Sequence, residues 1–335
     1  MIPVSASLAA MNSSGKATER TAIEATSRRE FLSGVAALVT TARFWKGIQS
    51  LAGATEADSA SGGPAAIRVG YAAITWGSDG RKAIEEISAV GFHGIQLRAD
   101  AIKHFQPAEL KDLLQQHGLT FVALSSRDIH ADPALEADDL NLHINNTKFL
   151  REAGGLYLQV IDKPPIDRAA TEADCKRLGQ LLTELGKRVT DLGAALGYHN
   201  HMNSLSERPE NLDRILENTD PRYIKLELDV AHYRQGGGDP VKAIHNYHDR
   251  LLFLHLKDVR DMNPNTSGKK GADYEWVELG RGKVDLLGVM SALDRNKFRG
   301  WAVVELDRVP DESGTPKQSA ILNRKYVEEK LGLRL

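Results

Sequence analysis

The chain has 335 residues, enough for one large domain or two small ones, and its charge is nearly balanced at 43 Lys+Arg against 45 Asp+Glu. Without a basic excess or a run of like charge, a nucleic-acid partner is set aside. The single cysteine, Cys175, excludes disulfides within the chain and a thiolate metal cage. No apolar run of residues 67–335 reaches the length of a membrane span, so the mature protein is not expected to be integral to a membrane.

The first 66 residues differ from the rest. Residues 1–26 are polar and small, with no periodicity. Ser27-Arg28-Arg29-Glu30-Phe31-Leu32 follows, and then the moderately apolar SGVAALVTTA. This arrangement resembles a twin-arginine export signal. Arg43 and Lys46 interrupt the apolar stretch, and the competing reading is an ordinary amphipathic N-terminal helix. We take residues 1–54 as the signal region and the Ala/Gly/Ser-rich residues 55–66 as a flexible linker, with cleavage sites offered after Ala52-Gly53-Ala54 and elsewhere in the small-residue stretch up to Pro64. The resemblance implies handling by the twin-arginine export machinery, passage in the folded state and a periplasmic location.

Residues 67–335 are close to the usual size of a (β/α)8 TIM barrel. Strand one is IRVGYAAITWG, ending near Trp76, and a helix runs from Asp79-Gly80 to Val90, closed by Gly91. GIQLRA (94–99) is strand two; PAELKDLLQQHG is a helix with Pro107 in its first turn and Gly118 after its end. TFVALSS is strand three, residues 140–153 a helix and LYLQVID strand four. A long helical pattern over 171–192 leads to LGYHNH, strand five. Helical stretches at 209–218, 240–248 and 285–296 separate the remaining strands, and 317–331 forms a last helix. Such alternation predicts a parallel sheet, and eight pairs favour a closed barrel over an open one. No G-x-G-x-x-G follows strand one, which counts against a dinucleotide fold.

The last four strands carry the chemistry. LGYHNH, IKLELDVAH, LLFLHLKD and WAVVELD end in His199, Asp229, His255 and Glu305, at spacings of 30, 26 and 50 residues. A barrel gathers such tips at one mouth. Strand side chains alternate between faces. If Leu252, Leu254 and Leu256 pack outward, then Phe253, His255 and Lys257 point inward. By the same parity Val303, Glu305 and Asp307, then Lys225, Glu227 and Asp229, then Gly197, His199 and His201 all face in. A lone inward histidine is usually a hydrogen-bonded core residue, and an unpaired buried carboxylate is costly. Four such groups at successive tips make a mixed N/O site for a divalent metal ion, manganese, magnesium, cobalt or zinc. Deeper in the barrel, Lys225 and Glu227 read as an interior ion pair helped by Gln96 or Gln159.

These residues resemble the sugar phosphate isomerase/epimerase superfamily of xylose isomerase-like barrels. The similarity rests on Y-H-N-H, N-T-D-P at Asn218–Pro221, D-V-A-H, H-L-K-D-V-R, G-R-G-K-V-D at Gly280–Asp285 and G-W-A-V-V-E, with A-I-T-W-G on strand one. The succession is most similar to inosose dehydratase-like members. The resemblance implies the same four metal ligands, His199, Asp229, His255 and Glu305, and a substrate contact at His232. His201, Arg260, Trp76 and Gln159 complete the candidate substrate-binding set. One departure matters: the epimerases use glutamates on strands five and eight as a proton-exchanging pair, and here the strand-five position is His199.

That departure shifts the expected chemistry from epimerisation toward enolisation with loss of a β-hydroxyl or alkoxide. A carbonyl and its neighbouring hydroxyl on a divalent ion would pass through an enediolate. Glu305, Lys257 and His232 are the candidates for proton handling, with the lysine pKa lowered beside a cation. The stretch 258–284 reads as a loop over the mouth, with Gly280 and Gly282 letting backbone approach the substrate. Export points to an unphosphorylated keto-sugar, ketoinositol or oxidised glycoside. A sugar isomerase or epimerase and a non-catalytic carbohydrate-binding barrel are the alternatives. An endonuclease-IV-like phosphodiesterase would need further His and Glu ligands where the early strand tips offer Trp76, Arg98 and Ser125. A homo-oligomer stays open.

Overall fold

The computed structural model describes residues 67–262, 273–311 and 313–335. The twin-arginine-type segment and the linker expected over 1–66 lie outside them. Eight parallel strands close into a barrel: β1 (Ile67–Ala72), β2 (Gly94–Arg98), β3 (Thr120–His130), β4 (Tyr157–Lys163), β5 (Ala195–His199), β6 (Ile224–Asp229), β7 (Leu251–Leu256) and β10 (Gly300–Val304). A two-stranded hairpin, β8 (Asp258–Asp261) with β9 (Tyr274–Val277), grows from the end of β7. The connecting helices are α1 (Gly80–Val90), α2 (Pro107–Gln116), α3 (Glu136–Glu152), α4 (Glu172–Asp191), α5 (Pro209–Glu217), α6 (Val230–Gln235), α7 (Pro240–Tyr247) and α8 (Leu286–Arg295). Helix α9 (Pro316–Glu329) ends the chain.

The helix ends follow their local chemistry. Asp79 accepts from the Lys82 amide at the start of α1, and Gly91 closes that helix at φ +101°. Thr171 with Asp174 and Thr315 with Gln318 form reciprocal capping boxes at α4 and α9. Two boundaries differ from expectation. Strand β1 stops at Ala72 and a 3-10 turn carries Ala73–Trp76, turning Trp76 toward α1, where its indole donates to Glu86 Oε2 at 2.7 Å. Strand β3 continues past the barrel to His130, because β4 pairs with it as far as Lys163.

Interior and exterior rows sort as parity requires. Leu196, Tyr198, Leu226, Leu228, Leu254, Leu256, Val304 and Leu306 join the core shared with the helices. Ala72, Val122, Ala123, Tyr157, Phe253, Trp301 and Val303 form a separate cluster inside the barrel. Its base is aromatic, with Tyr157 stacked on Phe253 at 5.3 Å and Trp301 beside Val122 and Gly94. The expected Lys225–Glu227 pair does not form. Lys225 reaches the Asp249 carbonyl at 3.3 Å, while Glu227 lies 2.6 Å from His255 Nε2. The barrel therefore has an apolar floor and a polar upper half.

Two stability tests follow. A Cβ on Gly94 would lie 2.8 Å from Val122 Cγ2 and closer still to the Trp301 ring. Gly94→Ala should therefore cost about 1–3 kcal/mol in urea unfolding, the usual penalty of overpacking. His143, buried between α3 and β3 with Nδ1 2.7 Å from Ser126 Oγ, has its pKa pushed down to about 4 by burial. The unfolded chain protonates this ring at its ordinary value of about 6.5, so stability present above that pH is lost as the solution is acidified toward pH 4. The loss is on the order of 3 kcal/mol. His143→Gln should flatten this part of the pH dependence when urea midpoints at pH 7.5 and 4.5 are compared.

Candidate metal and active site

Asp229 shows how the chain builds the site. It is the last residue of β6 and the N-cap of α6, and its Oδ1 accepts the amides of Ala231 and His232, each at 2.8 Å. That commits one carboxylate oxygen to the helix. The other, Oδ2, is buried without a hydrogen-bond partner. Asn200, just beyond β5, makes a pseudo-strand pair with the same residue: its Oδ1 accepts the Asp229 amide at 3.0 Å and its Nδ2 donates to the Asp229 carbonyl at 3.1 Å. This clip fixes the tip bearing His199 against the tip bearing Asp229.

His255 is oriented from below. Its Nε2 lies 2.9 Å from Gln96 Oε1 on β2 and 2.6 Å from Glu227 Oε1 on β6. A ring nitrogen so engaged fixes the tautomer and turns the other nitrogen, Nδ1, toward the mouth. Nδ1 has no hydrogen bond and sits 3.5 Å from Asp229 Oδ2 and 3.4 Å from Glu305 Oε1. The His199 ring packs at 5.0 Å from the His255 ring, with its Nδ1 also unpartnered. Ligand atoms of His199, Asp229 and His255 all lie within 4.8 Å of one another. Bonds of about 2.1 Å place the ligands of a tetrahedral ion about 3.4 Å apart, close to the two measured separations. Unpartnered buried lone pairs at such spacing, from imidazole and carboxylate, fit a divalent cation.

The electrostatics point the same way. Burial pushes Glu227 up to about 7, against the pull of His255. Burial would lower His255 as well, but the carboxylates of Glu227 and Glu305 outweigh it and hold the ring well above its ordinary value. Glu305, which burial alone would raise, is held well below the carboxylate range by His255 and Lys257. His199, by contrast, is kept neutral by burial with His255 and His201 nearby, the form in which imidazole ligates. The cluster demands positive charge.

Lys257 supplies part of it. Its Nζ lies 2.6 Å from Asp307 Oδ1, 2.9 Å from Glu305 Oε1 and 3.8 Å from Asp229 Oδ2. Burial disfavours the ammonium, yet Asp307, Glu305 and Asp229 together raise its pKa. Lys257 is a held cation. His232 contacts it at 3.1 Å through Nε2. The other nitrogen, Nδ1, faces the Met202 amide at 3.1 Å, so a donor approaches each ring nitrogen and a neutral imidazole can accept only one of them. In His201, Nδ1 is 2.6 Å from the Met202 carbonyl and must donate, which leaves the Nε2 lone pair available.

The remaining expected contacts are placed differently. Gln159 is inside the barrel and accepts from Ser125 Oγ. Trp76 is spent on Glu86 and Tyr71, between β1 and α1. Arg260 pairs across the hairpin with Glu275, at 3.0 and 2.6 Å, and no contact joins it to the cluster among the described residues. Gly280 and Gly282 also serve the scaffold. Buried Asp258 accepts the amides of Val259, Gly280, Gly282 and Val284 at 2.9–3.0 Å, and a Cβ on Gly282 would overlap Asp258 Oδ1. Trp276 was not anticipated. It roofs the site from β9, its ring 4.5 Å from Lys257 Nζ and 4.6 Å from the His232 ring. Period-two patterning in YEWV was the available signal, obscured by its place in a charged loop.

A closed eight-stranded barrel with this cluster at the strands' C-terminal ends defines a class of barrel with its site at the mouth. The model of the xylose isomerase-like TIM barrel family matches residues 84–325, and the chain belongs to that family. An inosose dehydratase of Geobacillus kaustophilus is 24% identical over 291 residues, covering 78% of this chain and 94% of the relative. The inosose dehydratase of Clostridium tetani is 31% identical over 187 residues, 54% of this chain and 61% of that protein. A crystal structure of the IOLI protein with a bound zinc atom superposes with a TM-score of 0.66 at 18% identity, covering 78% of this chain and 97% of that one.

Removing single ligands tests the cluster. His255→Ala and Asp229→Asn should each lower Mn2+ affinity at least tenfold in equilibrium dialysis, with the circular dichroism of the barrel retained. Arg260→Ala should leave Mn2+ affinity where it was.

Proposed function

We propose that the chain is a divalent-metal-dependent carbon–oxygen lyase or isomerase of sugars and polyols, with β-elimination of water as the preferred reaction. The observation that carries this is the convergence of unpartnered His199, Asp229 and His255 atoms with Glu305 at the barrel mouth. Relatives that are inosose dehydratases support a sugar-modifying enzyme and a keto-polyol substrate class. A keto-sugar, a ketoinositol and an oxidised glycoside share the needed carbonyl with a neighbouring hydroxyl.

His199, Asp229, His255 and Glu305 would hold the ion. A bound divalent ion supplies electrostatic polarisation of that carbonyl and hydroxyl. His232, beside Lys257 and under Trp276, orients a substrate oxygen. His201, with its basic Nε2 at the rim, and Glu305 are the groups able to take the α-proton. Lys257, an ammonium between Glu305 and Asp307, protonates the departing β-oxygen, so the C–O bond breaks with loss of water. Trp276 covers Lys257 and His232 and excludes solvent from that proton transfer. Epimerisation by a glutamate pair is disfavoured because His199 stands at the strand-five position.

The Arg28-Arg29 segment supports export by the twin-arginine route, and with it a periplasmic site of action. The ion would then be seated before translocation.

Incubation of Mn2+-loaded protein with ketoinositols and 3-keto sugars in D2O should show solvent deuterium entering at the α-carbon and a dehydrated product. Chelation should abolish both. Lys257→Met should reduce turnover by about 10²–10⁴ with the metal content retained. A metal-loaded chain that exchanges no proton with any of these ketones would be a binding barrel instead of an enzyme.

A further inference from the structure

The wall of the mouth opposite the metal ligands is cationic. Arg98 is the last residue of β2, two positions beyond Gln96 on the same inward row. Gln96 touches His255 across the barrel at 2.9 Å, so Arg98 stands about 7 Å further up the same strand, at the rim facing the ion site. Arg127 joins it from β3, and Lys103 from the 3-10 turn after β2.

All three share one carboxylate. Asp100 lies 3.9 Å from Arg98, 3.8 Å from Arg127 and 3.8 Å from Lys103, none within hydrogen-bonding distance. Among the described residues, neither guanidinium forms a hydrogen bond to protein. Arg168, Arg177 and Arg222, by contrast, each hold a carboxylate at 2.6 Å. Side chains of Arg98 and Arg127 are 50% and 56% exposed, open to solvent at the mouth. Two planar forks with unspent donors, beside a carboxylate that neutralises only one of three charges, match an oxyanion held bidentately.

Resting on the enzymatic reading above, we infer that the substrate is an acidic sugar or polyol whose oxyanion, carboxylate or phosphate, is received by Arg98 and Arg127 while its carbonyl end lies on His199, Asp229, His255 and Glu305. This pair selects the substrate by charge, and the ligands at the opposite wall carry out the reaction. Lys103 adds long-range attraction without a directed contact.

Calorimetric titration of the full Mn2+-loaded chain with D-glucuronate, D-glucose 6-phosphate and D-glucose tests the inference. At least one of the charged sugars should bind tenfold or more tightly than glucose, and which one does distinguishes carboxylate from phosphate. The Arg98→Gln/Arg127→Gln double variant should lose that advantage, and Arg98→Lys should keep part of it, with Mn2+ affinity and melting temperature as controls for folding. Equal affinity for all three sugars, or an advantage that survives in the double variant, would overturn it. Binding of none of the three would also overturn it. Deuterium exchange into neutral ketones separates the two readings. A chain that exchanges neutral ketones without an oxyanion preference loses only this inference, whereas one that exchanges none loses the enzymatic reading too.

Discussion

Glu227 and Asp229 are wholly inaccessible and Glu305 is 8% exposed, and the interior that holds them must answer their charge. A buried carboxylate without a counter-charge is strongly unfavourable, and no surrounding apolar packing offsets it. The barrel meets the demand in two ways. Lys257 keeps a proton that burial alone would deny it. Atoms of His199, Asp229 and His255 are left without partners, at spacings that a divalent cation fills. Much of the upper barrel can be understood as support for this arrangement: Gln96 under His255, Asn200 between two tips, Asp307 holding Lys257.

The floor and the site depend on each other through volume. Trp301, Phe253 and Tyr157 fill the lower barrel only because Gly94 leaves room for the indole, with Gly70 and Gly197 nearby on adjacent strands. A dry aromatic base lowers the effective dielectric beneath Glu227 and strengthens every charge interaction above it. Packing at one end thus sets the electrostatics of the other. The helices contribute by termination as much as by burial, since α6 begins on a carboxylate that the site also uses.

Much of this was legible in the chain itself. Period-two alternation in LLFLHLKD and IKLELDVAH separates the leucine row from the ligand row without reference to any fold, and the structure keeps that separation. Partners set by distant segments were not legible. Nothing local to Lys225 says that it turns to the Asp249 carbonyl while Glu227 turns to His255. The pKa of Lys257 depends on Asp307, 50 residues away, and on Glu305 and Asp229 from two other strands. Arg260 seemed free in sequence because its counter-ion, Glu275, becomes its neighbour only when β8 and β9 pair. Gly282 reads as a substrate-approach glycine until Asp258 is seen against it.

The Asp258 carboxylate draws four amides from both roots of the roof hairpin onto one point, and the Met262 amide bonds to the Asp273 carbonyl at 2.9 Å where the two described strands part. The chain thus leaves and re-enters the described hairpin at adjoining positions. These contacts hold Trp276 over Lys257 from the described part of the hairpin. The roof and the polar cluster beneath it hang on separate carboxylates, Asp258 for the one and Asp229 for the other, so a change in the first need not unseat the second.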